Sequence, residues 1–178
     1  QGLQILYHIL NNSSEITAER CYCPDIDAEN VLKAKNIPLL SLESSSPLAD
    51  FDLIGITLPH ELCYTNILTV LDRAEIPFFA EERGESQPII LGGGTCAFNP
   101  EPVADFFDVI LLGDGEEAII EIAQLLLSAK QNGLSRSQRI EQLSTVDGVY
   151  IPHRYKPVYD EEGRLIELKH SGTVPPRI

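Results

Sequence analysis

Two glycine-rich stretches, each placed after a short apolar run, are the residues of this sequence with the clearest chemical potential. The glycines are Gly92, Gly93 and Gly94 after the run 89–91, and Gly113 and Gly115 after the run 109–112. Short apolar runs without alternation are typical of strands that a parallel sheet buries on both faces. Glycine lets the backbone approach a ligand closely, and open α/β sheets bind ligands beyond the carboxyl ends of their strands. A single loop of this kind favours a plain tight turn, but two in succession predict a binding edge.

Histidine and acidic side chains flank the same predicted strand ends and are candidates for acid–base chemistry. His60 and Glu61 follow the apolar run 52–58, and Asp114 stands inside the second glycine stretch. Simpler roles explain them equally well, because loop histidines are commonly solvated and Asp114 has the spacing of a helix capping box with Glu117. Both interpretations stay open at this point.

Sequence motifs for binding nucleotides or metals are weaker evidence than the two glycine-rich stretches. The hexapeptide that starts at Gly92 fits G-x-G-x-x-A, and Asp114 follows Gly94 by twenty positions, as in a dinucleotide fingerprint. That fingerprint opens a long helix, whereas Pro100 and Pro102 allow only a short one, so flavin or dinucleotide binding is the minor alternative. The four cysteines form no C-x2-C pair, so we expect reduced thiols and no metal site.

The elements that must position these residues alternate between strands and helices. Predicted strands cover residues 16–22, 37–42, 52–58, 89–91 and 109–112, and predicted helices cover 3–11, 25–35, 62–74, 114–131 and 135–143. This order predicts an α/β fold with a doubly wound parallel sheet, flavodoxin-like or Rossmann-like. A small β-rich appendage follows, with strands at 148–152, 155–159 and 165–170 and a linker at 173–177. Because the chain opens on a helix, we expect its first strand to be missing, and we place the α/β domain at 1–131 and the appendage at 132–178.

Charge is unevenly distributed along the chain and limits the classes of partner. The net charge is −14, and residues 1–130 hold 21 of the 27 acidic residues but only 6 of the 13 basic ones. Binding to a phosphate backbone needs clustered basic residues, so we expect no direct nucleic-acid binding. No apolar run reaches membrane-spanning length and no signal peptide is recognisable, so we expect a cytoplasmic protein without a membrane partner.

Four longer motifs agree in order and spacing with one family. They are Asp-Leu-Ile-Gly-Ile-Thr-Leu at 52–58, Leu-Gly-Gly-Gly at 91–94, Asn-Pro-Glu-Pro at 99–102 and Phe-Phe-Asp-Val-Ile-Leu-Leu-Gly-Asp-Gly-Glu-Glu at 106–117. Together they resemble the cobalamin-binding-type domain in front of many radical SAM enzymes, and the resemblance covers nearly the whole chain. A largely uncharacterised radical SAM group shares further motifs at 41–44, 61–66 and 74–77. The resemblance implies that the nucleotide tail of cobalamin lies against Thr57, Gly92, Gly93, Gly94, Gly113, Asp114, Gly115 and Glu116.

The chain departs from that family in two motifs. It has no Asp-x-His-x-x-Gly signature, so no histidine is assigned as the lower ligand of cobalt, and it has no Cys-x3-Cys-x2-Cys triad. Since that triad holds the [4Fe–4S] cluster that binds S-adenosylmethionine, the resemblance implies that both belong to a downstream radical SAM barrel, the expected partner. We interpret the chain as an accessory domain without catalytic residues, which binds cobalamin or keeps a vestigial cobalamin site. A non-catalytic scaffold that recognises a macromolecular substrate is the alternative, beside flavin or dinucleotide binding.

Overall fold

The computed structural model describes residues 2–172 and contains five α-helices and six β-strands in that range. The helices are α1 (Gly2–Asn11), α2 (Ile26–Lys35), α3 (Tyr64–Arg73), α4 (Gly115–Gln131) and α5 (Arg136–Leu143). The strands are β1 (Leu53–Thr57), β2 (Ile89–Gly93), β3 (Val109–Leu111), β4 (Val149–Tyr150), β5 (Tyr155–Tyr159) and β6 (Leu165–His170). The linker predicted at 173–177 lies outside the described residues. Within those residues, no helix combines the length and the apolar character needed to cross a membrane.

β1, β2 and β3 form the parallel sheet that their apolar runs predicted. β2 lies between β1 and β3, and its first four residues are buried, as is the whole of β3. A strand without exposed side chains is covered on both faces, which explains why these runs show no alternation. Among the described strands β1 pairs only with β2 and therefore forms one edge of the sheet. The mixed α/β class with a mostly parallel sheet is confirmed.

The order of strands across this sheet follows the order along the chain. It is β1-β2-β3-β4, with no reversal among the described strands. A doubly wound sheet reverses its strand order at a switch point, where ligands bind. The doubly wound, flavodoxin-like topology therefore stays a prediction, while the parallel core that it requires is present.

Two of the predicted strands are wrong. Residues 16–22 have no regular secondary structure, and residues 37–42 keep one isolated antiparallel bridge. The two segments meet through a single backbone hydrogen bond, in which the Leu42 N–H donates to the Arg20 carbonyl oxygen at 2.8 Å. Pro38 has no N–H to donate to a ladder. Extended segments that meet through one bond do not form a sheet.

The C-terminal part of the chain divides between two sheets. β4 pairs antiparallel with β3, with Tyr150 opposite Ile110 and Val149 opposite Leu111. The prediction that this strand belongs to a separate β-rich appendage is wrong, because its apolar run is buried in the core of the main sheet. β5 and β6 form a separate antiparallel hairpin, at the positions of the two strands predicted there. A domain boundary at residue 131 stays a prediction.

A buried ion cluster fixes the amino ends of β2 and β3. Oδ2 of Asp108, a side chain only 2% exposed, accepts hydrogen bonds from the Ile90 N–H at 2.8 Å and from Arg83 Nη1 at 3.0 Å. Nη2 of Arg136 lies 2.7 Å from the same oxygen. The two guanidinium groups also donate to backbone carbonyl oxygens, those of Pro77, Phe78, Phe106, Gln87 and Pro88. The cluster thus joins two strands, the loop before β2 and the start of α5.

Candidate functional site

Parallel pairing brings the ends of three strands together at what we call the carboxyl edge, residues 57–63, 92–98 and 111–117. Thr57 of β1 is the register partner of Gly93 in β2, and Gly93 is the partner of Leu111 in β3. Gly113 follows Leu111 by two residues. The sequence-predicted residues of three different strands are therefore neighbours across one edge of the sheet.

Backbone hydrogen bonds join the first glycine loop to the end of β1. The Leu58 N–H donates to the carbonyl oxygen of Gly93 at 2.7 Å, and the Cys96 N–H donates to the carbonyl oxygen of Leu58 at 3.0 Å. Leu58 itself is fully buried. The backbone around Gly93 is consequently held in place before any ligand arrives.

The three consecutive glycines differ in whether the structure requires glycine at their positions, and why. Gly92 is buried, and a Cβ there would lie 3.1 Å from two ring carbons of Phe107, so packing requires glycine. Gly94 has φ +108°, and a Cβ there would lie 3.1 Å from the Leu58 carbonyl oxygen, so the turn requires glycine. Gly93 is half-buried, and a Cβ there would meet no atom within 4 Å. Open space therefore borders the backbone at Gly93, where neither packing nor the turn demands glycine.

The second glycine stretch forms the start of α4. Gly113 is exposed, has φ +109° and has open space at its Cβ position. A Cβ at Gly115 would make an ordinary 3.4 Å contact with Leu6 of α1, so α1 reaches this end of α4. Asp114 occupies the N-cap position but makes no side-chain cap hydrogen bond, so the predicted capping box is wrong. The carboxylates of Asp114 and Glu116 both face solvent.

The carboxyl edge is acidic. The connections that follow β1, β2 and β3, residues 58–63, 94–108 and 112–114, contain no Lys or Arg. Exposed carboxylates stand there at Glu61 and Asp114, and the positive potential comes from the backbone N–H groups at the start of α4. Amide or hydroxyl donors on a ligand suit this edge, whereas a ligand with several phosphate charges finds no cationic side chain in these three connections.

Thiol and imidazole groups also lie at the carboxyl edge. Cys63 Sγ is 3.5 Å from the His60 ring nitrogens. Burial raises the pKa of Tyr64, and the neighbouring Cys96 raises it further. Across residues 2–172, no set of three or more His, Cys, Asp or Glu side chains is arranged to hold a metal ion.

Two large apolar side chains at the carboxyl edge were not identified from the sequence. Leu62, in the 3-10 turn after β1, is 87% exposed, and Phe98, in the 3-10 turn after β2, is 73% exposed. The sequence predicted Leu62 as the first residue of a helix at 62–74, whereas that helix begins at Tyr64. The available signal was the sequence distance from each strand end, since a residue in the first turn after a strand lies beyond the sheet rather than over it. Exposed apolar side chains at adjoining loops favour contact with another surface.

A cavity of about 460 Å³ lies at the opposite, amino edge of the sheet. Gln87 Oε1 and Arg139 Nε, on two residues of its lining, are buried without a hydrogen-bond partner in the described part of the chain. Lys130 and Asp52 form an exposed ion pair at its rim, 2.5 Å apart. The cavity includes none of the eight residues that the sequence predicted as a site.

Comparison with known proteins shows the family to which this chain belongs. Residues 2–152 match the family described as radical SAM proteins, N-terminal. A search of curated proteins and a search of solved structures gave no match. The matched segment contains the main sheet and all three loops of the carboxyl edge, and it ends before β5.

Proposed function

We propose a function for this chain from one premise: it belongs to the family of N-terminal regions of radical SAM proteins. In our proposal the chain is the accessory domain of such a protein, joined to a downstream radical SAM domain in the same polypeptide. The [4Fe–4S] cluster and S-adenosylmethionine belong to that downstream domain. The cysteines of the chain support this division, because none of the four stands in a cluster-binding spacing.

We further propose that the carboxyl edge binds cobalamin. The observation that carries the proposal is Gly93, a glycine held by backbone hydrogen bonds and bordered by open space, with Thr57 beside it in the register. Cobalamin carries several amide side chains and a single phosphodiester, so it suits an acidic edge with exposed backbone better than a diphosphate does. When bound, it would supply a reactive corrin-held cobalt. In the proposed site the Thr57 hydroxyl and the Gly113 and Gly93 backbones would hold its tail, and Asp114 and Glu116 would accept hydrogen bonds from it.

Titration with hydroxocobalamin tests this proposal. We expect the chain to retain the corrin after desalting and to reject FMN and NAD. Gly93→Val should abolish retention, because its side chain fills the open space, and should leave the unfolding midpoint nearly unchanged. Gly84→Val is the matched control, since Gly84 is an exposed glycine with open space on the loop before β2, away from the carboxyl edge. Thr57→Val should weaken binding roughly two- to tenfold, because one neutral hydrogen bond contributes about 0.5–1.5 kcal/mol net.

A scaffold that recognises a macromolecule is the second candidate, and the exposed Leu62 and Phe98 favour it. Apolar side chains at the rim of an open edge are typical of a surface that another protein covers. If the chain rejects hydroxocobalamin while Gly93→Val and wild type stay equally folded, the scaffold function is the better one. Retention of FMN instead of the corrin would favour a flavin-binding domain.

A further inference from the structure

The hairpin of β5 and β6 has one apolar face and one polar face. Side chains alternate along a strand, and cross-strand partners lie on the same face. One face therefore carries three cross-strand pairs: Tyr155 with His170, Pro157 with Leu168 and Tyr159 with Leu165. Ile166 is the extra residue where the register shifts, beside Tyr159. The opposite face carries Lys156, Val158, Glu167 and Lys169.

The outer half of this apolar face is uncovered among the described residues. Tyr159 is 58% exposed, Leu165 59%, Ile166 65% and Leu168 46%. At the base of the hairpin Tyr155 is buried, and its ring centroid lies 5.1 Å from that of Tyr150 in β4. The apolar face thus continues from the core of the main sheet outward into solvent, and an isolated two-stranded hairpin is only marginally stable in water.

We infer that the apolar face of the β5–β6 hairpin is the surface on which the downstream radical SAM domain docks. This inference rests on the proposed function for the existence of that domain. A downstream domain in the same polypeptide is covalently tethered to this hairpin, so its contact with the apolar face is intramolecular. A second copy of the chain would have to bind the same face from free solution. The matched family segment ends at residue 152, so in sequence the hairpin lies between that segment and the proposed downstream domain.

Hydrogen exchange in two chains tests the inference, the 178-residue chain and the longer natural chain that carries the radical SAM domain. We expect backbone amides of β5 and β6 to exchange at least tenfold more slowly in the longer chain, with β2 as the internal reference that stays unchanged. Iron and sulfide content of the longer chain is measured in the same samples. Iron with equal hairpin exchange in both chains would overturn the docking inference and leave the proposed function standing. Absence of iron would overturn the proposed function and with it the named partner.

Paired variants separate docking from stability of the hairpin itself. Leu165→Ser with Leu168→Ser changes the apolar face, and Glu167→Ser with Lys169→Ser is the matched control on the polar face. In the longer chain the first pair should raise hairpin exchange to the level of the 178-residue chain, and the control pair should not. Because loss of cross-strand contacts also destabilises the hairpin itself, each pair is measured in the 178-residue chain as well, and docking is the slowing of exchange in the longer chain relative to the same variant in the 178-residue chain. Protection of the hairpin in the 178-residue chain that grows with protein concentration would identify a second copy as the occupant and refute the inference.

Discussion

Replacement of Asp108 by alanine should remove a large part of the folding free energy of this protein. The Asp108 carboxylate lies among three donors, the Ile90 N–H, Arg83 Nη1 and Arg136 Nη2, at 2.8, 3.0 and 2.7 Å. The side chains of Arg83, Arg136 and Asp108 are only 0%, 8% and 2% exposed. Alanine leaves two buried cations without a counterion and one buried N–H without an acceptor.

The size of this loss follows from those contacts. Removal of one partner of a buried ion pair costs about 3–5 kcal/mol, and an unsatisfied buried donor costs about 1–3 kcal/mol. The two losses share one carboxylate and are not additive, so we expect about 4 kcal/mol, against a total of about 5–15 kcal/mol for a typical domain. With a urea m-value of about 2 kcal/mol/M, the unfolding midpoint should fall by about 2 M.

Urea unfolding followed by circular dichroism measures this shift, with Asp52→Ala as the matched control. Asp52 also precedes a strand of the same sheet, but its pair with Lys130 is more than half exposed on both sides, and exposed pairs contribute about 0–1 kcal/mol. The free energy of unfolding of Asp108→Asn should lie between those of Asp108→Ala and Asp52→Ala, because its amide oxygen still accepts a hydrogen bond from the Ile90 N–H while the charge is lost. A free energy of unfolding for Asp108→Ala within about 1 kcal/mol of Asp52→Ala would refute the reasoning.

Two further predictions concern the C-terminal part. The backbone N–H and guanidinium of Arg164 hold the pKa of Asp160 below its usual value. The ionised carboxylate therefore stabilises the hairpin at pH values above the pKa of the unfolded chain, and this stabilisation is lost as the pH falls through the pKa of the folded chain. NMR shifts of β5 and β6 amides should therefore report loosening below about pH 4, and Asp160→Ala should show the loosened shifts at neutral pH; identical titrations of the two chains would contradict this. Ending the chain after residue 155 should preserve the far-ultraviolet dichroism of the main sheet, whereas ending it after residue 144 should not, because that removes β4 and the buried Val146, Val149 and Ile151. Equal spectra of the two truncated chains would show that β4 does not stabilise the sheet.

The parallel core was predictable because its signal is local. β2 and β3 are apolar without alternation and end in glycine, a pattern typical of strands covered on both faces. The wrong predictions for residues 16–22 and 148–152 have a common cause, which is that local sequence does not show whether a partner strand is present. The two segments have similar apolar content and differ in that respect. Residues 149 and 150 pair with the open edge of β3, whereas residues 16–22 make one backbone-to-backbone hydrogen bond among the described residues. Pairing over long sequence distances leaves no trace in local composition.

At the amino edge, the contacts between charged residues were likewise not predictable from local sequence. Asp108 directly precedes the strand predicted at 109–112, but the sequence assigned it no role. Arg83 lay outside the predicted elements, and Arg136 lay in the helix predicted at 135–143. Their sequence separations from Asp108 are 25 and 28 residues, so no spacing rule joins them. A carboxylate directly before a buried strand is nevertheless a useful signal, because burial of that strand also buries the carboxylate unless a cation accompanies it.

The candidate site was predictable as a place but not residue by residue. Strand direction and glycine content located the carboxyl edge, and the register then brought Thr57 and Gly93 together. The sequence alone does not distinguish Gly92, Gly93 and Gly94. In the structure, the Phe107 ring requires glycine at position 92, and the left-handed turn against Leu58 requires glycine at position 94. A glycine that packing or backbone geometry already demands gives no information about a ligand. Gly93 has neither demand, and for this reason its substitution, rather than that of its neighbours, separates a binding edge from a tight turn.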